Sequence, residues 1–380
     1  MSCTVKKLAG IVLSLLLILV SDHRAEAQKI KTVDGVKIIS NGKKPNPPKG
    51  KPATIKLTEE LVVGQSANPD EAFAEVGTFV VAEDGAIYAL DSKDRRIKVF
   101  DKAGKFLRLI GKPGEGPGEL GLPTGLQFTP DGQLMVEDAT NRRLSFFKPS
   151  GEFIRSASIA DKMGLVNIFL DAKGNYLGRE MGISGNKMFF EIKKYDPQLK
   201  PLFTLDKTEF SVPVPGSGAK INLMELISVY QFDGTGNIFY GCNTAYEIKV
   251  FDPQGKHIQS IQKEYDEVKI TQDDIDKILA RIGSASPGGP NFKDMLVFPD
   301  YFPPFQFFLL DDQGRMYVRT FKKGKAKDEY EFDVFDAEGN FIAQFITKAD
   351  LRIWRGDKTY GVEETEDGFR VIKRYAVSWE

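Results

Sequence analysis

The residues able to do chemistry recur at one place in a repeating pattern. Six residues after the glycine of a recurring turn stand Asp91, Asp138, Glu180, Cys242 and Thr320. Asp91 and Asp138 are followed five residues later by Arg96 and Arg143, a spacing that lets carboxylate and guanidinium pair across a short loop. Such a pair either stabilises the repeat or holds a ligand. Arg95 and Arg142 are additional arginines beside them, and with Arg179 and Arg319 they would form an anion-attracting rim. Solvated loop charge is the plainer account of the same residues. Glu137, Asp138, Glu180 and Asn243 are the carboxylates and amide that could serve a calcium ion, although their spacing is not specific. Cys242 lies beside Asn243 and Tyr246 with no base to activate a thiol, so it reads as a small packed residue. After residue 27 the one histidine is His257, in the turn Gly255-Lys256-His257 on the face opposite the long loops, which rules out a histidine-rich zinc site and a Ser-His-Asp triad on the loop-elaborated face.

Composition narrows the classes further. The chain has 380 residues and a formal charge of −1, so it is no general binder of nucleic acid or anionic membranes. Lys6 and Lys7, the apolar run Leu8 to Val20 and Ala25-Glu26-Ala27 together read as a signal peptide over residues 1–27. An apolar run of about 20 Å is short of the roughly 30 Å hydrocarbon core, and an uncleaved N-terminal anchor is the alternative. With Cys3 ahead of the cleavage point, Cys242 remains alone, so packing rather than a disulfide must hold the fold. Residues 28–52 are rich in lysine and proline (Lys43-Lys44-Pro45-Asn46-Pro47-Pro48) and read as a tether, with a small turn at Asp34-Gly35.

The elements that must position the polar residues are short strands. Turn glycines at Gly85, Gly132, Gly174, Gly236, Gly314 and Gly368 index the repeats. An apolar strand precedes the first five and another follows them, for example Leu126-Gln127-Phe128 and Leu134-Met135-Val136. A second turn then carries an aromatic, a polar bend and a fourth strand, as in Phe100-Asp101-Lys102-Ala103-Gly104 and Phe335-Asp336-Ala337-Glu338-Gly339. Four short strands per unit, repeated, make a propeller blade.

One unit, Leu109 to Ile154, carries a glycine-rich loop, Pro123-Thr124-Gly125, Asp131-Gly132, Val136-Glu137-Asp138, Asn141-Arg142-Arg143 and Phe147 to Phe153. It resembles an NHL repeat, and the whole resembles the exported six-bladed NHL-type propellers of bacteria, most strongly over about residues 78–155 and in outline over residues 53–380. The resemblance implies an all-β, six-bladed β-propeller, and a fold rather than an activity. Some related propellers are zinc lyases, a reading the histidine count removes. A calcium-dependent lactonase or esterase with its site in the central channel survives as the alternative function.

The last unit is short of strands, and Thr54 to Val63 can supply the missing one, closing the ring from the N-terminus. In such a meander the loops between strands two and three, and those leading to the next blade, share one face. That face carries every long insertion: Glu180 to Lys187, Asp206 to Met224, Lys322 to Lys327 and the 264–304 insertion. In the last of these, Thr271 to Ile282 has helical periodicity behind an N-cap candidate, and Phe298 to Phe305, with Tyr301, is aromatic and proline-rich. It is either a lid or a plug that packs its own apolar face. The expected protein is an exported, periplasmic or extracellular, non-enzymatic binding monomer. It would engage a protein, peptide or glycan through Arg95, Glu137, Arg142, Arg179, Asn243, Tyr246, Arg319 and Tyr301. No catalytic residue, metal ligand or cofactor is assigned, calcium being the ion left open. No nucleic-acid partner is expected, nor a membrane span once the signal is removed.

Overall fold

In this computed structural model, described for residues 28–380 except 186, 212–219, 243, 284–292 and 327–328, the repeats form six antiparallel sheets. The signal peptide expected over residues 1–27 and Asn243 lie outside the described residues. Blade 1 runs from Val76–Val81 through Ile87–Asp91 and Arg96–Phe100 to Phe106–Ile110. Blades 2, 3, 4 and 5 begin at Pro123–Phe128, Val166–Leu170, Ser228–Phe232 and Phe305–Leu310. Blade 6 holds Asp350–Arg355, Lys358–Glu364 and Arg370–Trp379. In each, the first strand named is innermost, and in blades 1 to 5 the order of the four strands outward follows the chain.

The hairpin turns are braced by aspartate. The side chain of Asp171 accepts from the backbone N–H groups of Lys173 and Asn175, and Asp233, Asp252, Asp311 and Asp336 each do the same two and four residues on. The glycine three residues after that aspartate takes the left-handed conformation, with φ of 77° at Gly174 and 88° at Gly236. A carboxylate that satisfies the turn's own donors, followed by a residue free of a Cβ, sets the chain reversal locally.

Blade 6 departs from the expected indexing. Its first hairpin turns at Gly356-Asp357, where Arg355 pairs with Lys358, and Asp367-Gly368 joins the second strand to the third. An Asp-Gly pair marks a reversal without saying which two strands it joins. The fourth strand of this blade is the N-terminal strand Ile55–Val63, which pairs antiparallel with Arg370–Trp379 and closes the ring.

Residues 28–52 are not a tether. Strand β1 (Lys29–Val33) and strand β2 (Val36–Asn41) form a hairpin, and β2 lies parallel to the outer strand of blade 4, His257–Lys263. Ile39 is fully buried there. The buried Asn41 amide donates to Gln262 O and Gly339 O at 3.0 Å, and its oxygen accepts from Phe341 N–H at 2.9 Å. Asn46 and Ala53 continue the bonding along the outer strand of blade 5. The segment from Lys29 to Val63 is thus a belt across the outer edges of blades 4, 5 and 6.

Among its described residues the 264–304 insertion holds one α-helix, α1 (Gln272–Gly283), whose first turn is capped by reciprocal bonds between Thr271 and Asp274. Ile275 and Ile278 pack with Ile270, Met224 and Phe302, and Phe302 stacks on Phe321 of blade 5 at 4.4 Å. The insertion buries its apolar face in this satellite cluster, which it shares with Met224 and Phe321.

Candidate functional site

The carboxylates that end the second strands point at the loop leading into their own blade. Asp91, fully buried, accepts from the N–H groups of Ala74, Glu75 and Asp94 at 2.8–3.1 Å. Asp138 repeats this with Gly121, Leu122 and Asn141. The expected partners go elsewhere: Arg96 approaches Asp70 at 3.8 Å, and Arg143 donates to Gly116 O and Glu119 O at 2.7 and 2.8 Å. Backbone donors with no other partner outbid a guanidinium that can reach solvent or carbonyls. Asp91 takes its cation from the buried Lys98, at 3.2 Å, which also donates to Pro69 O and Ala72 O.

Three of the expected ligand-face residues share one position in the repeat. Leu90, Glu137, Arg179, Gly241, Arg319 and Gly361 all sit fourth on a second strand. Glu137 reaches from blade 2 to blade 3, where its carboxylate accepts from Ile168 N–H at 2.9 Å, beside Asn167 at φ +54°. Burial pushes the Glu137 carboxyl up to about 7, against the opposing effect of the Ile168 and Asn167 amides. Arg319 reaches from blade 5 to Asp350 of blade 6 at 2.7 Å and lies 4.0 Å over the Tyr330 ring. Burial pulls its guanidinium below the ordinary value, and Asp350 pulls it back up. Arg179 lies 4.8 Å over Phe190. At least two of these residues therefore pin neighbouring blades together.

The remaining candidates are scattered. Arg95 and Arg142 are exposed at the tips of the turns between the second and third strands of blades 1 and 2, both in the left-handed conformation, with φ of 55° and 48°. Tyr301 is 45% exposed on the insertion. Tyr246 is buried between blades 4 and 5, where it donates to Asp333 at 2.5 Å; burial first, and then Asp333, push its hydroxyl well above the ordinary value. Asp333 also meets Lys263 at 3.3 Å and accepts from Gln344 at 2.7 Å. This cluster floors a pocket of about 450 Å³, counting its open mouth, beneath the insertion. Sequence reasoning missed Asp333 and Lys98, although a charge inside Phe332-Asp333-Val334-Phe335 or Ile97-Lys98-Val99-Phe100 breaks an apolar strand and signals a buried pair.

A second space opens on the loop face near the propeller axis. It lies between blades 6, 1 and 2 and measures about 1120 Å³ with its mouth. Lys93, Arg352 and Arg370 face it, with Glu75 and Asp350 as the carboxylates. None of these was singled out in the sequence, because blade 6 and blade 1 meet only when the ring closes. Among the described residues, no three His, Cys, Asp or Glu side chains converge as a metal-ligand set. His257 lies on the opposite face, with its ring 5.1 Å from Phe251.

No curated protein matches the chain. Among solved structures, a Bacteroides fragilis protein described as exported superimposes with a TM-score of 0.58 at 13% identity, covering 90% of this chain and 99% of that one. A member of the DUF4221 family from Bacteroides vulgatus gives 0.49 at 12% identity over 87% and 100% of the two chains. Virginiamycin B lyase from Staphylococcus aureus gives 0.44 at 12% identity over 85% and 99%. At this identity the first likeness concerns the fold alone, and the other two carry no argument. The family described as a six-bladed β-propeller matches residues 72–263, half of the chain, and it is to this family that the chain belongs.

Proposed function

We propose that this propeller is an exported, non-enzymatic binding module that engages a protein, peptide or glycan through its loop-elaborated face. One asymmetry carries the reading. On that face blade 3 extends its second and third strands to Ser184 and Lys187, blade 5 extends its second strand to Lys323, and the insertion adds α1. On the opposite face most hairpins are tight, aspartate-braced turns. Loops elaborated on one side of a rigid ring are where such scaffolds carry function. Export rests on residues 1–27 and implies the periplasm or the cell exterior; the NHL character of the repeats rests on Leu109 to Ile154.

The test is capture of a partner from the cell envelope by immobilised protein. Arg95→Ser with Arg142→Ser should release that partner, and Gln254→Ser with Lys256→Ser on the opposite face should not. The reverse pattern, with both variants folded, overturns the face assignment. A screen of lactones and esters in the presence of calcium should return no turnover. Turnover abolished by a chelator would replace this reading with the calcium-dependent hydrolase.

A further inference from the structure

The crevice between blades 6, 1 and 2 gathers cations from three separate loops and strands. The whole protein carries −1, yet three cations, Lys93, Arg352 and Arg370, face this one space. Its two carboxylates, Glu75 and Asp350, offset part of this charge and leave one cation in excess. Asp350 is already held by Arg319 from behind as well as by Arg352. Arg370 meets Glu364 only at 3.8 Å, with both side chains more than half exposed, a pairing worth little in water. Lys93 is exposed and makes no ion pair among the described residues. Beside the cations stands the apolar side chain of Leu122, which is 48% exposed, backed by Pro123 and Leu90 and flanked by Thr78, Ser92 and Thr124. Among the described residues no aromatic ring lines the space, so a sugar would find no stacking platform there. A few convergent charges on an apolar wall is the make-up of a ligand site.

We propose that this crevice binds an acidic peptide segment, its carboxylates held by Lys93, Arg352 and Arg370 and an aliphatic side chain seated on Leu122. The inference rests on the loop-face reading above and names the partner's chemistry. Steering by these cations would speed capture at low salt and fade as the Debye length shortens.

The probe is the peptide acetyl-Glu-Leu-Glu-Leu-Glu-amide, titrated calorimetrically into the full chain. Its glutamine counterpart and trigalacturonate serve as comparisons. The glutamate peptide should bind, weaken with salt, and exceed the glutamine peptide by about tenfold or more, the effect of losing charge-assisted hydrogen bonds. Lys93→Gln with Arg370→Gln should cost a similar factor without moving Tm, and Lys256→Gln should cost nothing. Equal binding of the two peptides, or none at millimolar concentration, overturns the proposal, and tighter binding of trigalacturonate overturns the choice of a peptide. If the probes fail while capture still depends on Arg95 and Arg142, the crevice assignment falls and the loop-face reading stands. Capture through the opposite face sinks that reading whatever the probes do.

Discussion

Glu137 holds its carboxylate with backbone amides rather than a cation, and that choice has a pH signature. Its folded-state value of about 7 lies above the ordinary 4.5, so the folded protein binds the proton more tightly than the unfolded chain does. Stability from this group is greatest below pH 4.5 and is lost as pH rises through 7. The loss should approach about 3 kcal/mol between pH 5 and pH 8. Glu137→Gln keeps an oxygen for the Ile168 amide and should flatten that part of the profile in urea midpoints. An unchanged slope would show that the carboxylate is better solvated than its burial suggests. The Lys263–Asp333 pair gives a second test, because both side chains are almost wholly buried. Lys263→Met alone should cost about 3 kcal/mol or more by stranding a charge, and adding Asp333→Leu should recover part of it. At this scale the sequence was legible in residue type and illegible in partner. Asp91 and Asp138 stood out, but the N–H groups they accept from are set by the path of the incoming loop. No spacing along the chain reveals that path.

Among elements, the propeller units were readable because each turn is chemically self-contained. The aspartate, the glycine three residues later and the flanking aromatics lie within one short window, so strand and hairpin can be read without tertiary information. Boundaries failed where pairing is distant. Residues 36–41 look unremarkable beside the lysine- and proline-rich run, because the strand that buries Ile39 lies more than two hundred residues away. Asn41 is the clasp of this belt. Asn41→Ala removes three hydrogen bonds in a buried setting and should lower stability by about 2–4 kcal/mol, seen as a fall in Tm. A neutral outcome would mean that the pairing of β2 holds the belt unaided.

For the whole molecule, ring closure brings blade 6 against blade 1 and so creates the crevice at the axis. Deleting residues 28–65 removes both the belt and the fourth strand of blade 6. The deleted protein should melt at a sharply lower temperature, and melting like the intact chain would refute the closure as a stabilising device. The same deletion should also weaken binding of the acidic peptide, since Arg352 of blade 6 and Lys93 of blade 1 line the crevice from the two sides of that seam.

The belt also imposes an order in time. Its strands are made early, yet their partners are residues 259–263, the outer strand of blade 5 and residues 372–379. At about 5–20 residues per second, the interval between Val63 and its partner Ile372 is roughly a quarter of a minute to a minute of synthesis. Throughout that interval the ring is open and Ile55–Val63 waits for its partner strand. A ribosome therefore handles a chain that cannot lock prematurely, and the lock engages only once Arg370–Trp379 has been made.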